Sequence, residues 1–312
     1  MRHPSEFASA GLPSRVDIYE VGPRDGLQNE ATALPVALKL ELIDRLVSSG
    51  LRAVEVTSLV RADLLPQLAD AEELLAGLER RPDVRYPVLV PNRRGLERAI
   101  AAGVSEVALF ASATEAFARA NLNRSRVESM AAFSEVAAGA LAAGISVRGY
   151  VSMCFGDPWA GAVTIEEVVG VVKALFEMGC AEVSIGDTIG VATPGHVEAL
   201  LGAVLEAGAS AGGLAVHFHD TYGQALANTL TALRLGITTV DASAGGLGGC
   251  PFARSATGNL ATEDLVWQLE GLGIETGVDL EALAATSSWV AGLLGRPSPS
   301  RTVQALTRDG RG

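Results

Sequence analysis

Along the chain, short β-branched runs alternate with stretches of helical period. The runs lie at 16–21, 53–57, 86–90, 106–110, 146–152, 182–185, 214–219 and 238–242, and each ends in polar residues or glycine. Between them, 35–49, 64–80, 93–102, 127–143, 165–178, 194–209 and 222–235 carry the apolar spacing of amphipathic helices. Two more helical stretches, 259–272 and 280–294, follow the eighth run.

The joints carry fitting chemistry. Thr193 before Pro194 predicts an N-cap and a first-turn proline. Gly50, Gly103, Gly144, Gly179 and Gly236 each close a helical stretch, where a left-handed cap favours glycine. Strict strand–helix alternation predicts an α/β fold with a parallel sheet, because parallel strands need crossover connections. Eight such units in about 250 residues is the arithmetic of a TIM (β/α)8 barrel, here with an extra C-terminal helix. A doubly wound open sheet shares the alternation, and periodicity alone does not separate the two. No linker divides the chain. The expectation is one catalytic barrel domain over 15–295, with 1–14 and 296–312 as loosely ordered tails.

Composition narrows the class. The 312 residues are 48% hydrophobic and 19% charged, which excludes a disordered chain. The net charge of −12 argues against nonspecific nucleic-acid or anionic-membrane binding. An anionic substrate would need local cations. No apolar run approaches the ~18 residues of a spanning helix, and the polar N-terminus lacks the apolar core of a secretory signal. Three cysteines without a C-x-x-C argue against a disulfide scaffold or structural zinc. A cytoplasmic protein with reduced thiols is expected.

On a barrel, functional residues belong at the C-terminal ends of strands and in the loops that follow. The segment 22–30 (GPRDGLQNE) packs Arg24, Asp25, Gln28, Asn29 and Glu30 after the first run. Taken alone, a solvated turn is the plainer reading. His217 and His219 end the seventh run, and a period of two puts both imidazoles on one face, as a metal-ligand pair requires. After the eighth run, 244–251 (AGGLGGCP) suggests a mobile flap of Gly245, Gly246, Gly248 and Gly249 carrying Cys250. The plainer alternative makes Cys250 an inert small hydrophobe, like Cys154 and Cys180.

Glu55 sits inside the second run and needs a partner, Arg24 or a metal shell, because a buried unpaired charge is costly. Asp187 ends the sixth run, and Asn259 is either an N-cap or an oxygen ligand. Together, Asp25, His217, His219 and Asn259 offer two nitrogens and two oxygens. That set suits octahedral Mg²⁺ or Mn²⁺ with open positions, while two histidines and a carboxylate also suit Fe²⁺ or Zn²⁺.

The blocks 21–30 (VGPRDGLQNE), 147–152 (VRGYVS), 186–195 (GDTIGVATPG), 217–228 (HFHDTYGQALAN), 246–251 (GLGGCP) and 258–265 (GNLATEDL) together strongly resemble the 3-hydroxy-3-methylglutaryl-CoA lyases. They run in the family's order from residue 15 to about 295. The resemblance implies a barrel and a divalent cation, Mg²⁺ or Mn²⁺, at Asp25, His217, His219 and Asn259. It also implies an acyl-CoA substrate and a homodimer. By the same resemblance, Arg24 stabilises an enolate, Cys250 is a lid cysteine implicated in catalysis, and Glu55 and Asp187 are supporting acids. The lid departs from the family at Ala244, Gly245, Phe252, Arg254 and Ser255, which bears on the acyl substrate and the lid more than on the reaction.

The implied reaction cleaves 3-hydroxy-3-methylglutaryl-CoA to acetyl-CoA and acetoacetate, with a base at Asp25 or His217. The alternatives are a lyase for a longer 3-hydroxy-3-substituted glutaryl-CoA and a condensing synthase joining acetyl-CoA to a 2-oxo acid. A noncatalytic binding protein on the same scaffold is a third. Arg93, Arg94, Arg124 and Arg126 are candidates for the CoA phosphates, though solvated surface arginines are the plainer reading.

Overall fold

The computed structural model describes residues 2–249 and 258–308. Its strands are β1 (Asp17–Glu20), β2 (Ala53–Val54), β3 (Thr57–Ser58), β4 (Val88–Leu89), β5 (Glu106–Ser112), β6 (Ser146–Ser152), β7 (Glu182–Asp187), β8 (Leu214–Phe218) and β9 (Thr239–Ala242). All pairs are parallel, in the order β2–β1–β9–β8–β7–β6–β5–β4–β3. The two ends of that order are successive pieces of one extended run, so the sheet closes on itself. Between them the Glu55 N–H donates to Glu20 O (2.8 Å) and the Val56 N–H to Pro87 O (3.0 Å). The open sheet is excluded. The single strand expected at 53–57 is split at Glu55 because its first piece ladders with β1 and its second with β4.

The helices are α1 (Val36–Ser48), α2 (Ala71–Gly77), α3 (Arg93–Ala101), α4 (Glu115–Leu122), α5 (Arg126–Ala142) and α6 (Ile165–Glu177). They continue with α7 (Pro194–Glu206), α8 (Ala225–Arg234), α9 (Thr262–Gly271), α10 (Leu280–Leu293) and α11 (Arg301–Arg308). The helix expected at 64–80 reduces to a turn at Pro66–Leu68 and then α2, since Pro66 lacks an N–H and suits only a first turn. The pattern missed α4, which Thr114 caps by accepting from the Phe117 N–H. Pro194 does open α7, but the Thr193 side chain makes no cap bond. The five predicted closing glycines all have positive φ. At Gly50 a Cβ would also lie 2.1 Å from Gly277 O.

The tail expected to be loose at 296–312 is docked as far as residue 308. Ser300 and Val303 are buried. The Asp264 carboxylate on α9 accepts from Ser300 Oγ (2.8 Å) and from the N–H groups of Arg301 (3.2 Å) and Thr302 (2.8 Å), which anchors the start of α11. At the other end, residues 2–14 lie mostly exposed, with the Phe7 N–H donating to Gly271 O (2.9 Å). No described helix is long and apolar enough to cross a membrane.

The main apolar core lies between strands and helices. The barrel interior is partly charged. Arg148 is 2% exposed, stacks on Tyr19 (3.9 Å) and Tyr150 (4.6 Å), and donates to Glu182 (2.6 Å) and Asp241 (2.6 Å). Replacing it by Met would strand the fully buried Asp241 without its cation and leave the half-buried Glu182 unpaired. Arg148→Met is therefore expected to destabilise the fold by about 3 kcal/mol or more, read as a lowered urea midpoint. A midpoint unchanged from the parent chain would contradict this account of the interior.

Candidate metal centre at the barrel mouth

Residues paired side by side in a parallel sheet share a face. Tyr19, Asp241 and His217 stand in one register row across β1, β9 and β8, so all three point inward. His219 follows His217 by two, and the imidazole centroids lie 5.4 Å apart. Asp25 reaches them from the loop after β1, and ligand atoms of Asp25, His217 and His219 lie within 4.8 Å of one another. The fourth expected residue joins them. Asn259 Nδ2 donates to Asp25 Oδ2 (2.8 Å) and to Leu247 O (3.1 Å). With its NH₂ group so engaged, Asn259 Oδ1 is buried and has no hydrogen-bond partner among the described residues. A buried oxygen left over beside a carboxylate and two imidazoles fits a cation ligand. Asn259 is not an N-cap: α9 begins at Thr262, with Ala261 in the cap position.

The loop carrying Asp25 is not a solvated turn. Residues 22–26 form one wide π-type turn in which the N–H groups of Arg24, Asp25 and Gly26 all donate to Val21 O. Gly22 is required there, because a Cβ would lie 2.6 Å from Glu20 Oε1. Arg24 is buried and donates from Nη1 to Asp25 Oδ1 (2.5 Å) and from Nε to Glu55 Oε2 (2.5 Å). Tyr150 Oη donates to that same Glu55 oxygen (3.2 Å). Burial works against the guanidinium charge, but Glu55 and then Asp25 hold Arg24 above its ordinary pKa. Burial would likewise raise Asp25, yet Arg24, the two imidazoles and Asn259 hold it down at about 2. Gln28 stands at the edge, with Nε2 at 3.5 Å from Asp25 Oδ1.

Asp187 does not join the cluster. Its two oxygens accept the N–H groups of Val191 and Ala192 (2.9 Å each), which shapes its own loop. Burial pushes its pKa up to about 6 against those bonds.

The glycine segment is clamped rather than free. Glu20 accepts from the N–H groups of Gly22 and Ala244 (2.8 Å each) and from Thr262 Oγ1 (2.6 Å). Glu263 accepts from the Gly245 N–H (2.8 Å) and from Ser287 Oγ, while Ser298 Oγ donates to Gly245 O (3.0 Å). Gly245, Gly246 and Gly248 all have positive φ, and at Gly248 a Cβ would lie 2.6 Å from Asn259 Nδ2. The start of the flap expected at 244–251 is therefore held by buried carboxylates at Ala244 and Gly245, and further along Asn259 donates to Leu247 O and Asn29 to Gly249 O. Cys250, the proposed lid cysteine, lies outside the described residues.

Neither clamping carboxylate was anticipated, nor were Asp241 and Arg148. For Asp241 and Arg148 the available signal was a charged residue in the inward phase of a strand run, the same signal that marked Glu55; Glu20 lies in the opposite phase of β1 and Glu263 on α9, where that signal does not reach. Asp241 accepts from Ser184 Oγ (2.8 Å) as well as Arg148 and lies 3.3 Å from His217 Nδ1. Such a partner fixes the ring and leaves Nε2 for a metal.

The cluster of Asp25, His217 and His219 opens into a cavity of about 660 Å³. Arg24, Asp25, His217 and His219 line it, with Phe110, Phe133 and Tyr150 among its apolar walls. The fold and site define a class: a TIM-barrel protein whose strand ends carry a two-histidine, one-carboxylate cluster able to hold a divalent cation. Residues 15–290 match the HMGL-like family model, and the chain belongs to that family.

The mitochondrial hydroxymethylglutaryl-CoA lyase of Rattus norvegicus is 50% identical over 99% of this chain and 94% of its own length. The cytoplasmic 3-hydroxy-3-methylglutaryl-CoA lyase of Danio rerio is 52% identical over 96% of this chain and 89% of its own. A solved HMG-CoA lyase from Acinetobacter baumannii, in complex with coenzyme A and 3-methylmalate, aligns with a TM-score of 0.90 and 36% identity over 96% of this chain and 97% of that one.

Two outcomes are expected. Asp241→Asn would release the His217 ring and weaken Mn²⁺ binding about 10- to 100-fold by calorimetry, whereas unchanged affinity would remove Asp241 from the site. Burial raises Glu263 to about 8 and Glu20 to about 7, against their hydrogen bonds. The folded chain thus keeps protons that the unfolded chain releases near its ordinary pKa of 4.5. Stability is full below that value and falls as pH rises through the folded values, with each tenfold difference in proton affinity worth about 1.4 kcal/mol. Glu263→Gln would flatten the fall in urea midpoints between about pH 5 and 8.5, and parallel curves for the two proteins would contradict this.

Proposed function

We propose that this chain is a divalent-cation-dependent carbon–carbon lyase that cleaves 3-hydroxy-3-methylglutaryl-CoA to acetyl-CoA and acetoacetate. The observation that carries the reading is the meeting of Asp25, His217 and His219 with a buried Arg24 on one cavity, with Asn259 bonded to Asp25. The cation, Mg²⁺ or Mn²⁺, would be held by those four residues, and when bound it supplies Lewis acidity that eases ionisation of the substrate's C3 hydroxyl.

The rest falls to side chains. Asp25 or His217 takes the hydroxyl proton. The C3–O electrons form the ketone as the C2–C3 bond breaks, and the bonding pair passes to the thioester as an enolate. Arg24, charged and oriented by Glu55 and Asp25, faces the developing enolate oxygen at no reorganisation cost. A thiol can then protonate the enolate carbon, which assigns Cys250 that step on the sequence resemblance. A cytoplasmic location belongs to this reading, as for the similar Danio rerio lyase named cytoplasmic, while the Rattus norvegicus relative is named mitochondrial.

The deciding assay uses metal-stripped protein and 3-hydroxy-3-methylglutaryl-CoA, with and without Mg²⁺ or Mn²⁺. Acetoacetate and acetyl-CoA should appear in equal amounts and only with metal. Folded, metal-loaded protein that makes neither would overturn the reading, and release of free CoA from acetyl-CoA and a 2-oxo acid would favour the synthase. Cys250→Ala should lower turnover at least about 100-fold with metal affinity unchanged. Full turnover would remove the thiol from the mechanism.

A further inference from the structure

We infer that Arg124, at the edge of the active-site cavity, receives phosphate groups of the coenzyme A arm, an assignment that rests on the acyl-CoA reading above. The described cavity walls carry three arginines, Arg24, Arg61 and Arg124, against one carboxylate, Asp25. In a chain of net charge −12, that local balance is reversed.

Two of the three guanidiniums are committed. Arg24 serves Asp25 and Glu55. Arg61 is held by both oxygens of Asp63 (3.0 and 2.5 Å). Arg124 is exposed and makes no hydrogen bond or close ion pair among the described residues, its charge reaching only the exposed Glu128. Its backbone is nevertheless fixed. Asn123 ends α4 in the left-handed conformation (φ 52°), and Ser125 caps α5 through a reciprocal pair of bonds with Glu128.

A free guanidinium on a fixed stem costs less to order around an anion, and its fork matches phosphate oxygens. Leu64, 63% exposed, also lines the cavity. An apolar side chain and an unspent cation on the walls of one cavity suit an arm that is part amphipathic chain and part phosphate. The neighbouring candidates fail on geometry. Arg126 donates to Ala113 O (2.7 Å), Arg93 pairs with Glu97 (3.2 Å), and none of Arg93, Arg94 and Arg126 lines the cavity.

The test compares two substrates, 3-hydroxy-3-methylglutaryl-CoA and the same acyl group on pantetheine, which lacks the phosphates. Arg124→Glu should raise KM for the CoA thioester about tenfold, with kcat changed less than about twofold. That KM penalty should vanish on the pantetheine thioester. The KM of Arg124→Gln should also depend less on salt than that of the parent chain. If the parent cleaves both thioesters and Arg124→Glu raises neither KM, or raises both alike, the phosphate assignment falls while the lyase reading stands. If the metal-loaded parent cleaves neither, the lyase reading falls and the assignment with it.

Discussion

A guanidinium buried at the mouth of a barrel must be neutralised where it stands, and the architecture of the site follows from how this is done for Arg24. One end of the fork meets Asp25 and the other meets Glu55. The first contact fixes one oxygen of Asp25, and Asn259 fixes the other, so the carboxylate is presented beside the two imidazoles in one orientation. The second contact accounts for a carboxylate inside a β run, at the point where that run passes from β1 to β4 and closes the barrel. Fold closure and the candidate cation site thus share one buried ion triad. Burial opposes every charge in it: the two carboxylates still hold Arg24 above its ordinary pKa and Arg24 holds Asp25 low, while at Glu55 burial outweighs the pull of Arg24 and leaves the carboxyl raised.

The same logic repeats one layer deeper. Asp241 is neutralised by Arg148 and turned toward His217 by sheet register, so one imidazole of the candidate metal cluster is oriented by a group that does not line the cavity. Glu20 and Glu263 bind backbone N–H groups rather than cations, and their burial keeps protons on them near neutrality. They lock the segment 244–246 against α9 and α10, which in turn seats Leu247 O on Asn259. Polar groups that cost folding energy are placed where they hold ligands still.

Much of this is legible in the chain. Alternating patterns specify the strand–helix units, and closing glycines mark most helix ends. The period of two places His217 and His219 on one face, and Glu55 demands the partner that Arg24 provides. What stays hidden is tertiary. Asp187 sits at a strand end like a catalytic acid, but its oxygens are taken by its own loop. The glycines of 244–249 look mobile in isolation, because the carboxylates that bind them come from distant positions. The tail's polar composition conceals that Ser300 and Val303 bury themselves and that Asp264 anchors α11. Local pattern carries which element a residue belongs to; it does not carry who satisfies whom across the barrel.

The most direct measurement of the central claim is electron spin resonance of Mn²⁺ added to the metal-stripped full chain. The account predicts one tightly bound ion per chain, with magnetic coupling to two imidazole nitrogens, one of which disappears in His219→Ala. Mn²⁺ that binds without nitrogen coupling, or fails to bind stoichiometrically to the folded chain, would contradict the assignment of this cluster as the metal centre.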